Sequence, residues 1–482
     1  MKTKILSIIV IVASLGFYSC EDFLTVTPHD SLNSDNAMES ISDYNNVMMS
    51  CYESIRNDDY TDFNTIVPDV MSDNLLLCSD GRQTWNEYFQ FNFTSTTFGT
   101  AGLWLASYNA ILSANEVITR MDAGKTFADK DEDAQAQGIL AEALAFRAYV
   151  HFVLVRYYGS AYQIAGENGL GVPYKVSTDA SEKPSRETVK SVYEKIITDL
   201  NRAKTILTSN STYNSKVNNR INLRGVNAIL TKVYFTKGDY TNAEVCALAA
   251  IKKDGSDVVK LNDYTKMWTT SMEIDEVIWR ISMLQTDNQI LGNVYGQGDP
   301  SNHKPEYVVT QSLVQLLNPD TDIRASGVQE VTLSGKNFNA VWKFHGRTGE
   351  STGKVDMPLI RTSEMYLTLA EIKYRNSDLN GAREFLDYVR KNRYLDLPSV
   401  SDAELLSAIY LERRLELAFE GDRFFEIKRL NLDIQRDNFG DQADGSGIPA
   451  VLQFIPKTSP HFLLAIPQDE INANANMVQN NY

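Results

Sequence analysis

Apolar residues in 134–157, AQAQGILAEALAFRAYVHFVLVRY, recur at alternating intervals of four and three: Ile139, Ala143, Phe146, Val150, Val153 and Tyr157. That spacing draws one stripe along a helix of 3.6 residues per turn. Leu140, Leu144, Leu154 and Tyr158 widen it, which predicts a helix covered on two sides. In 224–251, Leu230 and Tyr234 precede the turn Gly238-Asp239-Tyr240, and Ala243, Ala247 and Ala250 follow it. Large residues facing small ones predict two closely approaching helices, with a spacing similar to a tetratricopeptide repeat, although Asn227 and Thr231 depart from that motif. A cousin at 362–393 has Tyr366, Leu369 and Ala370, then Ala382, Leu386 and Val389, with Lys373 in place of the expected aromatic. The distance between the two pairs predicts helix pairs embedded in a larger, mainly α fold, and no tandem solenoid. In 411–430, Leu411, Leu415 and Ala418 form an apolar stripe flanked by Glu412, Arg413, Glu416, Glu420 and Arg423, with Gly421 expected to end the helix. That charge set reads as a paired network orienting helices, as do Arg147 and Arg361.

Between these segments lie 78–101, 283–306 and 434–460, rich in Gly, Asn, Thr and aromatics. Loops of such length in a compact protein are commonly functional. The aromatics in the first two argue against simple disorder.

The front of the chain has its own pattern. Lys2 and Lys4 precede an apolar run, Ile5 to Gly16, broken only by Ser7 and Ser14. The run falls well short of the about 20 residues a membrane-crossing helix needs, and fits a secretory signal over 1–19. Cys20 follows small Ser19, as in bacterial lipoprotein leaders, although Phe17 and Tyr18 depart from the usual lipobox. A lipid on Cys20 is expected; the alternative is an ordinary leader cut nearby that leaves a thiol. Residues 20–36 then read as a polar tether and 37–482 as a single folded domain. No segment after residue 20 reads as apolar for long enough to span a bilayer.

Composition narrows the function. The chain has 482 residues and a formal charge of −16, which disfavours nucleic acid and docking on anionic lipid. Cys51, Cys78 and Cys246 show no C-x-x-C spacing. They are expected as buried apolar residues or isolated thiols, with a Cys51–Cys78 bridge left open. The histidines, His29, His151, His303, His345 and His461, form no H-E-x-x-H zinc motif, and neither a nucleophile elbow nor a phosphate loop is present. Gly296-Gln-Gly298 lacks the third glycine of a dinucleotide site. Asp441-Gln-Ala-Asp444-Gly445 lacks the alternating ligands and closing Glu of a calcium loop. No cofactor and no metal are expected. Carboxylate pairs for glycoside hydrolysis are singled out nowhere among 62 acidic residues.

Several stretches together carry a resemblance: LWLASYNAILSANEVI (103–118), ILAEALAFRAYVHFVLVRYYG (139–159), TVKSVYEKIITDLNRA (188–203), MPLIRTSEMYLTLAE (357–371), LERRLELAFEGDRFFEIKRL (411–430) and FLLAIPQDEINANANMVQNNY (462–482). In this order they resemble the SusD/RagB family across essentially the whole mature chain. The resemblance implies a SusD-like helical fold with tetratricopeptide-like pairs and long ligand-binding loops. It also implies a non-catalytic, surface-exposed outer-membrane lipoprotein that captures a nutrient and delivers it to a SusC-like TonB-dependent transporter. Glu21-Asp22 after Cys20 resembles the acidic address of such lipoproteins. Starch, fructan, host glycan and peptide all remain open as ligands.

An aromatic ring can stack on the C–H face of a sugar while polar neighbours fix its hydroxyls. Asp80-Gly-Arg82-Gln-Thr-Trp85-Asn86 offers both. Trp85 is the expected platform, with Asp80, Arg82 and Asn86 as hydrogen-bonding groups, unless Trp85 plugs a cluster with Tyr88, Phe89 and Phe91. The family resemblance adds Tyr295, in the later loop, as a second platform. Trp104 and Trp342 are expected in the core. Two other classes compete with the binding reading: a surface glycan-degrading enzyme with unrecognised carboxylates, and a structural helical-repeat adaptor.

Overall fold

A computed structural model describes residues 38–287, 291–296 and 303–481. The expected leader, Cys20 and the tether lie outside these residues. The fold is mainly α: α1 (Ile41–Ser54), α2 (Asp58–Thr65), α3 (Thr100–Asp122), α4 (Lys130–Tyr158), α5 (Val189–Ser209), α6 (Leu223–Lys237), α7 (Tyr240–Ala250), α8 (Thr362–Arg375), α9 (Leu379–Arg390), α10 (Leu405–Glu416) and α11 (Arg423–Arg429). Residues from Asn45 onward group as one compact unit.

Helix α4 is the spine. Asp129 caps it by accepting from the N–H groups of Asp131 and Glu132, and all six residues of the expected stripe are buried. So are Leu140, Leu144, Leu154 and Tyr158, because α3 and α5 cover it on either side. By length and composition this helix is apolar enough to cross a membrane, contrary to the expectation from sequence. Its apolar window is wholly buried in protein, as in the core helix of a globular fold. Arg147 clamps the three helices: it donates to both carboxylate oxygens of Asp199 on α5 (2.8 and 2.9 Å) and to Asn115 on α3 (2.8 Å). The role expected for it is the one observed.

Both expected helix pairs form. In the first, Gly238 adopts a left-handed φ of +88° and Asp239 accepts from the Asn242 N–H to start α7. In the second, Ser377 (φ +63°) takes the same turn and Asp378 accepts from the Gly381 N–H. Although distant in sequence, the pairs dock, with α7 against α8, so that α3 to α10 pack as a continuous series of neighbours.

The intervening chain supplies the sheets. Strands β1 (Leu75–Leu77), β3 (Tyr307–Val309), β4 (Val328–Leu333) and β5 (Lys336–Val341) form a four-stranded sheet in the order β1-β3-β5-β4, while β2 (Val277–Ile281) pairs with β6 (Met357–Arg361). Leu77 faces Tyr307, Val308 faces Ala340, and Val328 faces Val341. This register brings residues 78, 306 and 342 to the same end of the sheet.

Beneath the helices lies a buried ionic cluster. Arg361 donates to Glu276 (2.6 Å), Glu416 (2.7 Å) and Glu420 (2.6 and 2.7 Å), and Arg393 to Glu416 (2.8 Å) and Glu276 (2.7 Å). It ties β2, β6, α10 and the turn after α9 together, as the orienting role read from 411–430 predicts. Two details differ. Helix α10 ends at Glu416, before Gly421, because Phe419 and Gly421 both take left-handed backbone (φ +69° and +79°). A Cβ on Gly421 would lie 2.1 Å from the Asn64 carbonyl oxygen, so only glycine fits. Leu411 is 38 % exposed, and the buried stripe of α10 is Leu405, Ile409 and Leu415. Cys51, Cys78 and Cys246 are buried free thiols.

Candidate functional site

The end of the four-stranded sheet where residues 78, 306 and 342 emerge is built by three segments. Across three strands spaced about 4.8 Å apart, the outer two lie roughly 10 Å from each other. The Cys78 N–H donates to the Glu306 carbonyl (2.9 Å), carrying the ladder one step beyond β1 and β3. Gly81 then runs against the chain at 305–306, where a Cβ would meet the Pro305 carbonyl oxygen at 2.5 Å. Glu306 holds the loop by its side chain. It accepts from Arg82 Nε (2.9 Å) and Nη2 (2.6 Å) and from the Thr84 N–H (2.9 Å). Tyr307 completes the clasp by donating to the Thr84 carbonyl (2.7 Å). The two long loops expected to contribute to a site therefore meet.

Trp85 and Tyr295 do not present open faces, which corrects their expected roles as bare platforms. Trp85 has a left-handed φ of +64° that turns its ring inward; it is 6 % exposed and its indole N–H donates to Asp62 (2.9 Å). It sits edge-on to Phe63 and Tyr88, much like the local plug weighed from sequence. Its remaining face is covered by Phe98, stacked at 5.6 Å and 15° and itself 75 % exposed. Gly99, at φ +90°, permits this: a Cβ there would stand 2.5 Å from the Trp85 ring. Tyr295 is 1 % exposed, stacked on Phe344 and edge-on to Phe419. Of the polar residues, Arg82 remains 57 % exposed at its side chain while bonded to Glu306. Asp80 pairs with Lys336 (2.9 Å) at the other end of β5. Asn86 donates to Gln83 (3.2 Å), and its carbonyl oxygen is buried without a partner.

An aromatic group that the sequence reading placed in the core stands at this end of the sheet: Trp342. It follows directly on β5, is only partly buried, and lies parallel to His345 at 3.6 Å and 10°. His303 closes the group, 5.1 Å from Trp342 and 5.5 Å from His345. Gly296 is pressed so tightly onto the His303 ring that no side chain is tolerated there. Burial, then the neighbouring His345, pulls His303 down to about 4. Burial lowers His345 as well. Both rings are therefore neutral near pH 7, and neutral imidazole can donate and accept toward a hydroxyl. The Tyr295 backbone lies against the His303 ring, while Nδ1 of His345 has no hydrogen-bond partner. The signal in the sequence was the run Trp342-Lys-Phe-His345 just after an alternating strand. Trp104 is in the core, as expected.

No group of three or more His, Cys, Asp or Glu residues placed to hold a metal occurs among the described residues. The Asp441 carboxylate accepts from the Ser79 and Ile448 N–H groups and so staples two loops.

The comparisons agree with this architecture. A family profile described as starch-binding and associating with the outer membrane matches residues 22–235, and the SusD family profile matches 333–482. A SusD-like protein of Formosa agariphila is 25 % identical over 436 residues, covering 79 % of this chain and 80 % of its own. The crystal structure of a SusD superfamily protein from Bacteroides thetaiotaomicron superposes with a TM-score of 0.81 at 25 % identity, covering 92 % of this chain and all of that one. Surface glycan-binding protein A of the same organism, solved with laminarihexaose, gives a TM-score of 0.70 at 20 % identity, covering 92 % of this chain and 99 % of its own. With SusD-type family profiles matching residues 22–235 and 333–482, and the helical fold in place, the chain belongs to the SusD/RagB family.

Proposed function

We propose that this chain is a lipid-anchored, non-catalytic outer-membrane receptor that captures an oligosaccharide and passes it to a SusC-like TonB-dependent transporter. The observation that carries the binding reading is the Trp342–His345 stack at the same end of the sheet as Glu306 and Arg82: a partly buried indole, covered on one face by a neutral imidazole whose Nδ1 has no partner. Such a surface takes the C–H face of a pyranose while hydroxyls pair with imidazole and guanidinium. Phe98, backed by Trp85, supplies a second aromatic face adjoining the same Glu306 clasp. Asp80 and Asn86 belong to the rim. The laminarihexaose bound to surface glycan-binding protein A supports the choice of a glycan over a peptide.

Trp342→Ala is expected to weaken binding of laminarihexaose or a malto-oligosaccharide by about 1–3 kcal/mol, the loss of an aromatic hot spot, with the unfolding midpoint little changed. Calorimetric titration of both proteins checks it, and equal affinities would remove Trp342 from the site. Analysis of the same mixtures for shortened chains tests the non-catalytic part; turnover abolished by a single carboxylate substitution would favour the enzyme.

Cys20→Ser is expected to move the protein from the membrane fraction to the soluble one, since a lipid supplies the hold. Unchanged fractionation would count against lipidation. Recovery of a large β-barrel with the wild-type protein from detergent extracts tests the transporter partnership.

A further inference from the structure

Two cations face one cavity without a carboxylate between them. Lys428 on α11 is 7 % exposed, and its ammonium donates a single hydrogen bond, to the Arg156 carbonyl at the end of α4 (2.6 Å). An ammonium has three donors, so two are left over. The Arg156 guanidinium lies between the rings of Phe425 (4.1 Å) and Phe152 (4.8 Å). Its Nε is buried without a partner, and among the described residues no acidic group pairs with either side chain. Ring contacts attract the charge but leave the N–H groups unmatched. In a chain of net charge −16, a buried lysine and a part-buried arginine in one pocket with no carboxylate are an anomaly, because a buried charge is ordinarily matched. The neighbouring Arg429, by contrast, is bound to Glu371 (2.7 Å) and Glu426 (2.8 Å).

Arg156 and Lys428 wall a cavity of about 40 Å³ with Ser160, Tyr193 and Phe425. It adjoins a second of about 180 Å³, which shares Ser160 and Lys428 and adds Lys457 and Phe462. A water needs about 10–15 Å³ on this measure, so the first cavity has room for a small polyatomic group. We propose that this cavity binds an oxyanion, a sulfate or carboxylate, either free or carried on a sugar whose apolar face would rest in the adjoining cavity. Burial, then the charge of Arg156, draws the Lys428 ammonium down to about 7; the charge of an anion between them would raise it again. This inference does not rest on the Trp342 site.

The test is calorimetric titration of the full chain with sodium sulfate, glucuronate and glucose at constant ionic strength, repeated with Lys428→Met and Arg156→Gln. Sulfate or glucuronate should bind saturably and glucose should not enter this cavity. Each variant should weaken the anion by at least about tenfold, as expected for a lost charge-assisted hydrogen bond. Binding of glucuronate would identify an acidic sugar as the source, and binding of sulfate alone a free anion or sulfate ester. Lys428→Met removes a buried unpaired charge and should fold at least as stably as wild type, so it decides the matter if Arg156→Gln does not fold. Absence of saturable anion binding by the wild type, or unchanged affinity in Lys428→Met, overturns the proposal.

Discussion

Glu416→Gln is expected to destabilise the folded chain by about 3–5 kcal/mol, the usual cost of breaking one partner out of a buried ion pair. Glu416 is 0 % exposed, and its two oxygens are shared between Arg361 and Arg393, which are themselves 1 % and 0 % exposed. Glutamine keeps the shape but removes the charge, leaving Arg393 to depend on Glu276 alone for neutralisation. Burial by itself would raise the Glu416 carboxyl, yet Arg393 and Arg361 together hold it well below the ordinary carboxylate value. In the unfolded chain it would take a proton near pH 4.5. Its stabilising contribution is therefore complete above that pH and is lost as pH falls toward the depressed folded value. Wild type should show a steep acid limb in urea-unfolding stability, and the variant a shallower one. A loss under about 1 kcal/mol with parallel acid limbs would mean that the cluster tolerates a missing charge. Replacing Glu416 and Arg393 together with Met should cost less than the single change, because no uncompensated charge remains.

The same cluster shows how far the sequence carries. The charges of 411–430 were legible as partners because they flank apolar positions at helical spacing, and Arg361 because it stands inside a stretch that resembles the family. Glu276 and Arg393 were not, since they come from segments whose local pattern says nothing about where they dock. Helix α4 and both helix pairs were readable because periodicity of about 3.6 is a local property. The docking of α7 on α8 is a long-range one, and the residues between them hide it. Aromatic residues failed for a related reason. Trp342 looked internal because it continues the alternation of β5, but the strand ends at Val341 and frees the next side chain. Trp85 looked external because its neighbours are polar, but its left-handed backbone, which sequence does not announce for a tryptophan, swings the ring onto Asp62. Arg82 was named as a polar neighbour of Trp85 in a loop-like stretch; its partner Glu306, at the end of the second long loop, could not be read from local pattern.

Asp62→Asn should gain stability over wild type steadily as pH rises. The Asp62 carboxyl is buried, and burial dominates over the opposing Trp85 hydrogen bond; Asp58, Asp59 and Glu306 add like charge, so that it titrates at about 8 against 3.8 in an exposed setting. Between those values the folded chain keeps a proton that the unfolded chain has released. The acid form thus contributes its full stability below pH 3.8, and that contribution is lost as pH climbs through the window to about 8. The slope for one proton is about 1.4 kcal/mol per pH unit, which makes the total several kcal/mol. Asparagine cannot ionise, and its carbonyl oxygen can still accept the Trp85 N–H. The difference in unfolding free energy between variant and wild type should therefore be smallest below pH 3.8 and grow at close to that slope up to about pH 8. A difference that is constant across this range would show that Asp62 is already ionised in the folded state. Ionisation would also force the Trp85 pocket to admit water, loosening the support beneath Phe98. Wild-type tryptophan fluorescence should then shift to longer wavelength above about pH 8, whereas Asp62→Asn should hold its emission, and with it the aromatic face, across the same range.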